Sequence, residues 1–165
     1  MFCERFKKDR EVLSPHEFKI KREQKVVDGR MDVCAINDEQ KVVIENKINS
    51  NLNGVRADSS TQLSIYYQWA RENTTLQPLC FLTYPDIHED KLIKDIAEHD
   101  PQMVDIYTLV SYGQIADFLE ENREEIPNTY EFERYIDDVI KAFRNLSYKT
   151  KEPYYAQKFL KATLW

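Results

Sequence analysis

Gly29-Arg30-Met31-Asp32-Val33-Cys34-Ala35-Ile36, then Asn37-Asp38-Glu39-Gln40, then Lys41-Val42-Val43-Ile44-Glu45-Asn46-Lys47-Ile48 reads as strand, turn and strand. Both outer runs are rich in β-branched and apolar residues and have strand length, while the four residues between them are polar. Residues two apart on a strand share a face, so Arg30, Asp32, Cys34 and Ile36 line one side of the first run, and Val43, Glu45 and Lys47 one side of the second. A hairpin centred between Asp38 and Glu39 sets Ile36 against Lys41, Cys34 against Val43, Asp32 against Glu45 and Arg30 against Lys47. Two carboxylates then oppose one another across strands.

Directly opposed side chains have Cβ atoms about 4.5 to 5.5 Å apart, where like charges destabilise a sheet. A divalent cation compensates. Mg²⁺ takes a few carboxylate oxygens together with water and phosphate oxygens, and Lys47 on the same face can neutralise charge developing on a phosphate or hold an attacking water. The bland alternative is two diagonal surface ion pairs, Arg30 with Glu45 and Asp32 with Lys47, which contribute little. The apolar flanks of both acids favour the first reading, because central strands seldom carry charge without a purpose.

Outward from the hairpin, residues 17–27 alternate loosely around Phe18, Ile20 and Val26 and predict a charged strand near a sheet edge. Residues 49–60 are polar and predict a loop. Thr61 or a nearby serine opens a helix to about Asn73 with Leu63, Tyr66 and Ala70 on one face, and residues 79–84 form an apolar strand that returns parallel to the third. Asp86 with Glu89 predicts a helix cap ahead of inward-facing Leu92, Ile93 and Ile96. A strand over 104–110 follows, and Ser111 with Gln114 predicts a second cap ahead of Ile115, Phe118 and Leu119. Residues 129–146 place Phe132, Tyr135, Ile136, Val139, Ile140 and Phe143 at helical spacing.

The 165 residues suit one domain, 1–165, with a core over about 17–120 and a helical extension over about 121–165. No run has the length of a membrane span and the N-terminus lacks an apolar signal core, which predicts a cytoplasmic protein with no membrane partner. Cys3, Cys34 and Cys80 are far apart and predict small buried hydrophobes rather than a disulfide or zinc framework, and His16, His88 and His99 form no ligand cluster. The three glycines make no phosphate-cradling pattern. A net charge of −6 opposes coating of nucleic acid through bulk electrostatics, yet is compatible with an acidic enzyme that has a local basic rim.

Gly29-Arg30-Met31-Asp32-Val33, Val43-Ile44-Glu45-Asn46-Lys47-Ile48, and Gln62-Leu63 with Tyr66 in the next helix resemble the PD-(D/E)XK nuclease superfamily. The likeness is to its branch with Gly-Arg-x-Asp, Glu-Asn-Lys-Ile and Gln-Leu-x-x-Tyr motifs. Glu-x-Lys alone says almost nothing; three motifs in order on strand, strand and helix say much more. The resemblance implies a restriction-endonuclease-like αβββαβ core in the α/β class, with a mixed central sheet flanked by helices and extra C-terminal helices. It implies a Mg²⁺-dependent deoxyribonuclease, with Mn²⁺ as substitute, that hydrolyses phosphodiester bonds using a water at the magnesium as nucleophile.

By the same resemblance Asp32, Glu45 and the backbone carbonyl of Asn46 would bind metal, and Lys47 would position or activate the water. Gln62 would reach the catalytic site, Tyr66 would contact substrate or support Gln62, and Arg30 would be a substrate or architectural contact. The chain departs from the pattern at its start, where the family has a helix with a further acidic ligand and this sequence has a short charged segment. Glu4 or Glu23 could fill that role. The implied partner is nucleic acid, DNA first, with a homodimer as the symmetric arrangement for two-strand cutting. Two rivals belong to other classes: an inactive nucleic-acid-binding or assembly module that keeps the fold, and an interaction domain built on the aromatic segment 148–165.

Overall fold

In a computed structural model the chain is described over residues 2–7, 18–26, 29–47, 60–125 and 130–147. The predicted loop over 49–59, His16 and the aromatic segment 148–165 lie outside the described residues. The protein is mixed α/β with one five-stranded sheet. In chain order the elements are α1 (Phe2–Phe6), β1 (Lys19–Val26), β2 (Gly29–Ile36), β3 (Lys41–Asn46), α2 (Gln62–Arg71), β4 (Leu79–Tyr84), α3 (Glu89–His99), β5 (Tyr107–Ser111), α4 (Tyr112–Glu121) and α5 (Tyr130–Ser147). Strand order follows the sequence, β1-β2-β3-β4-β5, so β1 lies at an edge and β3 in the middle. β1 to β2 and β2 to β3 are antiparallel, and β3 to β4 is parallel across the α2 connection. No helix among the described residues is long and apolar enough to cross a membrane.

The chain divides into two compact units. The first comprises Met1–Tyr84 and His88–Val110. Its core gathers Cys34, Val43, Cys80 and Leu82 from the sheet with Leu63, Tyr66 and Ala70 from α2. Every residue of β4 is buried, as expected of an apolar strand covered on both faces. The Asn37 side chain shapes the hairpin turn by accepting from the amides of Glu39 at 2.9 Å and Gln40 at 2.6 Å, a turn role that suits asparagine. The Thr61 hydroxyl caps α2 by accepting from the Ser64 amide, and Asn73, with φ 56° just past its end, takes the left-handed conformation that asparagine tolerates at a helix stop. Lys41 donates to the last carbonyls of α2, Trp69 at 2.9 Å and Glu72 at 2.6 Å.

The second unit comprises Pro85–Ile87 and Ser111–Trp165. α4 and α5 enclose Ala116, Ile136 and Ile140, with Leu119 and Phe143 packed against them, and Tyr112 stacks on Phe143 with ring centroids 5.0 Å apart. The capping box expected at Ser111 and Gln114 is present.

Four expectations need correction. Asp86 and Glu89 do not cap α3: Asp86 opens a 3-10 turn, α3 has no side-chain cap, and the Asp86 carboxylate accepts from the Gly113 amide at 3.2 Å. Ile93 is exposed, because α3 buries only the Leu92–Ile96 stripe. Val104 is exposed in a turn that follows a 3-10 turn at Pro101–Met103, so β5 starts at Tyr107. Tyr135 is 62% exposed on the outer side of α5, where spacing had placed it with the apolar face.

Candidate functional site

Glu45 is where the central strand stops being aliphatic. Alternation along β3 puts Val43 and Glu45 on the face that α2 covers, and the register with β4 sets Val43 beside Cys80 and Glu45 beside Leu82. Glu45 is therefore 4% exposed and Lys47, two residues on, is 4% exposed. The Lys47 Nζ lies 2.9 Å from Glu45 Oε1 and donates to Gln62 Oε1 at 2.6 Å. Gln62 begins α2, so its amide reaches the end of β3 while Tyr66, one turn later, faces the same way. Gln62 Nε2 donates to the Tyr66 hydroxyl at 2.8 Å, and that hydroxyl donates to the Arg30 carbonyl at 2.7 Å. One polar chain thus runs from β3 through α2 to β2.

Asp32 joins from β2. The β2–β3 ladder has the predicted register, Ile36 with Lys41 and Cys34 with Val43, but ends at Val33 with Ile44. Beyond that point Asp32 Oδ2 accepts from the Asn46 amide at 2.8 Å. The Lys47 amide donates across to Thr83 in β4 at 2.8 Å, so alternation turns the Asn46 amide, and its carbonyl with it, toward β2. A carboxylate has taken the position of a strand carbonyl. Arg30 and Lys47 do not meet as the extended register expected; Arg30 Nε instead pairs with Glu23 Oε2 at 2.6 Å. Neither diagonal ion pair, Arg30 with Glu45 or Asp32 with Lys47, forms among the described residues.

Burial pushes the Glu45 carboxyl above its usual range, the Lys47 charge opposes that rise, and the nearby Asp32 charge adds to it. Glu45 Oε2 is buried and has no hydrogen-bond partner. Such an oxygen is strongly disfavoured unless something positive meets it. Asp32, Glu45 and the Asn46 carbonyl are oxygen donors of the kind that suits Mg²⁺ or Mn²⁺, so in their chemistry the residues present fit a divalent cation. Among the described residues no group of three or more His, Cys, Asp or Glu side chains gathers at metal-ligand spacing. The two further acids considered from sequence are engaged elsewhere: Glu4 pairs with Lys7 at 2.6 Å and Glu23 with Arg30.

No protein-family model, curated protein or solved structure matches the chain. The site therefore rests on its own geometry. Asp32, Glu45, Asn46, Lys47, Gln62 and Tyr66 converge, while the exposed Arg30 side chain turns to Glu23 and only its backbone enters the network. Of the two roles expected for Tyr66, the geometry serves support of Gln62, since the ring is 1% exposed. Burial pushes the Tyr66 phenol up, against the Gln62 hydrogen bond, which keeps it protonated as a donor to Arg30.

Two residues were missed. Thr83 donates to the Asn46 side-chain carbonyl at 3.0 Å and to the Glu45 carbonyl at 3.4 Å, which fixes the end of β3. Its signal was available, because a hydroxyl in an otherwise apolar buried strand needs a partner. Gly29 is the other: a Cβ there would sit 3.1 Å from Tyr66 Cε1 and Oη, so the tyrosine reaches Arg30 only past a residue without a side chain. The sequence shows that glycine but not what approaches it.

Proposed function

We propose that this chain is a metal-dependent nuclease of the PD-(D/E)XK type that hydrolyses phosphodiester bonds in DNA. The observation that carries the reading is the buried Glu45–Lys47–Gln62 cluster beside Asp32, with one Glu45 oxygen left without a partner. The α1, β1–β3, α2, β4 order is compatible with a restriction-endonuclease-like core. Asp32, Glu45 and the Asn46 carbonyl would hold Mg²⁺, with Mn²⁺ as substitute. When bound, the cation supplies Lewis-acid polarisation of the phosphate and lowers the pKa of water.

The protein's own groups set the geometry. Hydrolysis forms a bond from water oxygen to phosphorus and breaks one phosphorus–oxygen ester bond, with the water proton passing to solvent or to the leaving oxygen. Lys47 has three N–H donors; Glu45 and Gln62 take two and so aim the third at a phosphate oxygen or the attacking water. Its charge stabilises the negative charge that grows on the phosphate. Gln62 fixes the ammonium, and Tyr66 fixes Gln62 against the β2 backbone.

The test is cleavage of single-stranded, double-stranded and branched DNA with Mg²⁺, with Mn²⁺ and with chelator, comparing wild type with Lys47→Ala. Wild type should cleave only with metal, and Lys47→Ala should lose on the order of 10²-fold or more in rate while retaining its circular dichroism spectrum. Absence of cleavage on every substrate, with no heat of Mg²⁺ or Mn²⁺ binding in calorimetry, would replace this reading with a scaffold that keeps the fold without turnover. If both strands of a duplex are cut together, a symmetric pair of copies is the arrangement to seek by sedimentation.

A further inference from the structure

We propose that the edge strand β1 is a rim on which the sugar-phosphate backbone of DNA rests, delivering the chain to the Asp32–Glu45 cluster. The inference takes its partner from the nuclease reading above and adds the surface that holds it. β1 is the outermost strand of the sheet, and Lys19, Lys21, Arg22 and Lys25 on it are all exposed. The whole chain carries −6, yet this strand has four cations against the single carboxylate of Glu23. The β1–β2 register sets Lys25 beside Arg30, Lys21 beside Cys34 and Lys19 beside Ile36, so Lys21 and Lys25 flank the position of Asp32 along the neighbouring strand. Glu23 Oε2 is held by Arg30 at 2.6 Å.

Edge strands often carry a lysine or two that deter pairing with another strand. Four cations in seven residues, on the strand beside the one that carries Asp32, exceed that need. The span from Lys19 to Lys25 is about 20 Å at strand rise, the length over which one strand of a DNA duplex presents about six phosphates. A second copy of this chain is the poorer occupant. Two-fold pairing of β1 with itself would bring the same cations face to face, and like charges opposed across strands destabilise the pair.

The experiment measures binding of a fluorescent DNA duplex by anisotropy, in chelator so that nothing is cut, across a salt series. Lys19→Gln, Lys21→Gln and Lys25→Gln together should weaken binding at least about tenfold and flatten the slope of log K against log salt by about 2 to 3, the loss of three phosphate contacts. The three lysine-to-arginine changes should restore both. A control that removes the same charge from exposed helix positions, Lys91, Lys94 and Lys141, should leave the slope near wild type. An unchanged slope in the β1 variant, an equal loss in the helix control, or a change in oligomeric state without a change in DNA affinity overturns the rim. Wild-type cleavage in metal separates the two proposals. Cleavage with an unchanged β1 slope removes the rim and leaves the nuclease; lysine-dependent binding without cleavage does the reverse; no binding by wild type removes the rim outright.

Discussion

At Glu45 a carboxylate is 4% exposed, with one oxygen on Lys47 and the other unpartnered. Burying a charge in this way costs stability that a cation would return. Glu45→Gln should destabilise the metal-free protein, since glutamine keeps an acceptor for Lys47 but leaves that equally buried ammonium without its counter-charge. On the proposed function, the same variant should lose the rise in Tm expected of wild type in Mg²⁺, together with the proposed cleavage. Thermal unfolding with and without Mg²⁺ reads both, and a Glu45→Gln protein that Mg²⁺ still stabilises fully would remove Glu45 from the donor set. The nearness of Glu45 and Lys47 was legible because alternation puts residues two apart on one face of a strand. The Arg30–Glu23 pair was not, because it depends on where β1 lies and on the positive φ of 54° at Glu23, which residue type does not signal.

Among the elements, the hairpin was legible at its closed end, whereas the expected Asp32–Glu45 and Arg30–Lys47 pairs lie beyond the last ladder pair, Val33 with Ile44. Its turn asparagine, its aliphatic flanks and its register all agree with β2 and β3 as observed. Helix starts were legible only where chemistry at the cap and chemistry three residues later coincide. Ser111 with Gln114 does so and forms a capping box. Thr61 forms one with Ser64, a pairing that lacks the usual Glu or Gln signal. Asp86 with Glu89 has the right letters, but the 3-10 turn shifts the start of α3 and frees Asp86 to accept from Gly113. Thr61→Ala should cost about 1 kcal/mol of stability and Ser111→Ala about the same. Thr61→Ala should also lower the proposed nuclease activity, because α2 carries Gln62 to Lys47, whereas Ser111→Ala should not. Urea midpoints and cleavage rates measured side by side check the contrast; equal activity loss in both would mean the cap does not position Gln62.

At the scale of the whole fold, burial raises a thiol and two phenols among the described residues. It pushes the Cys34 thiol up, the Tyr66 phenol up and the Tyr107 phenol well up. An acid with a raised folded value is ionised first in the unfolded chain, so its contribution is intact below the unfolded pKa and is lost as pH climbs toward the folded one. Burial lowers Lys41, which works in the opposite sense and offsets part of the loss. Above about pH 8 stability should decline toward pH 11, first through the thiol and then through the phenols. Urea midpoints across that range test it, with Tyr107→Phe expected to give a shallower decline; a flat profile would count against burial as the controlling influence.

The early end of the β2–β3 ladder has an evolutionary consequence. The sheet is zipped at the Asn37 turn and open at Asp32, so the two ends tolerate change differently. Lengthening the turn leaves the open mouth as it is. A single residue inserted between Asp32 and the turn would rotate the acid to the opposite side of the sheet, exchanging the acceptor of the Asn46 amide for an aliphatic in one step. Diversity should therefore accumulate at the closed end of this hairpin, and length at the open end should be held fixed.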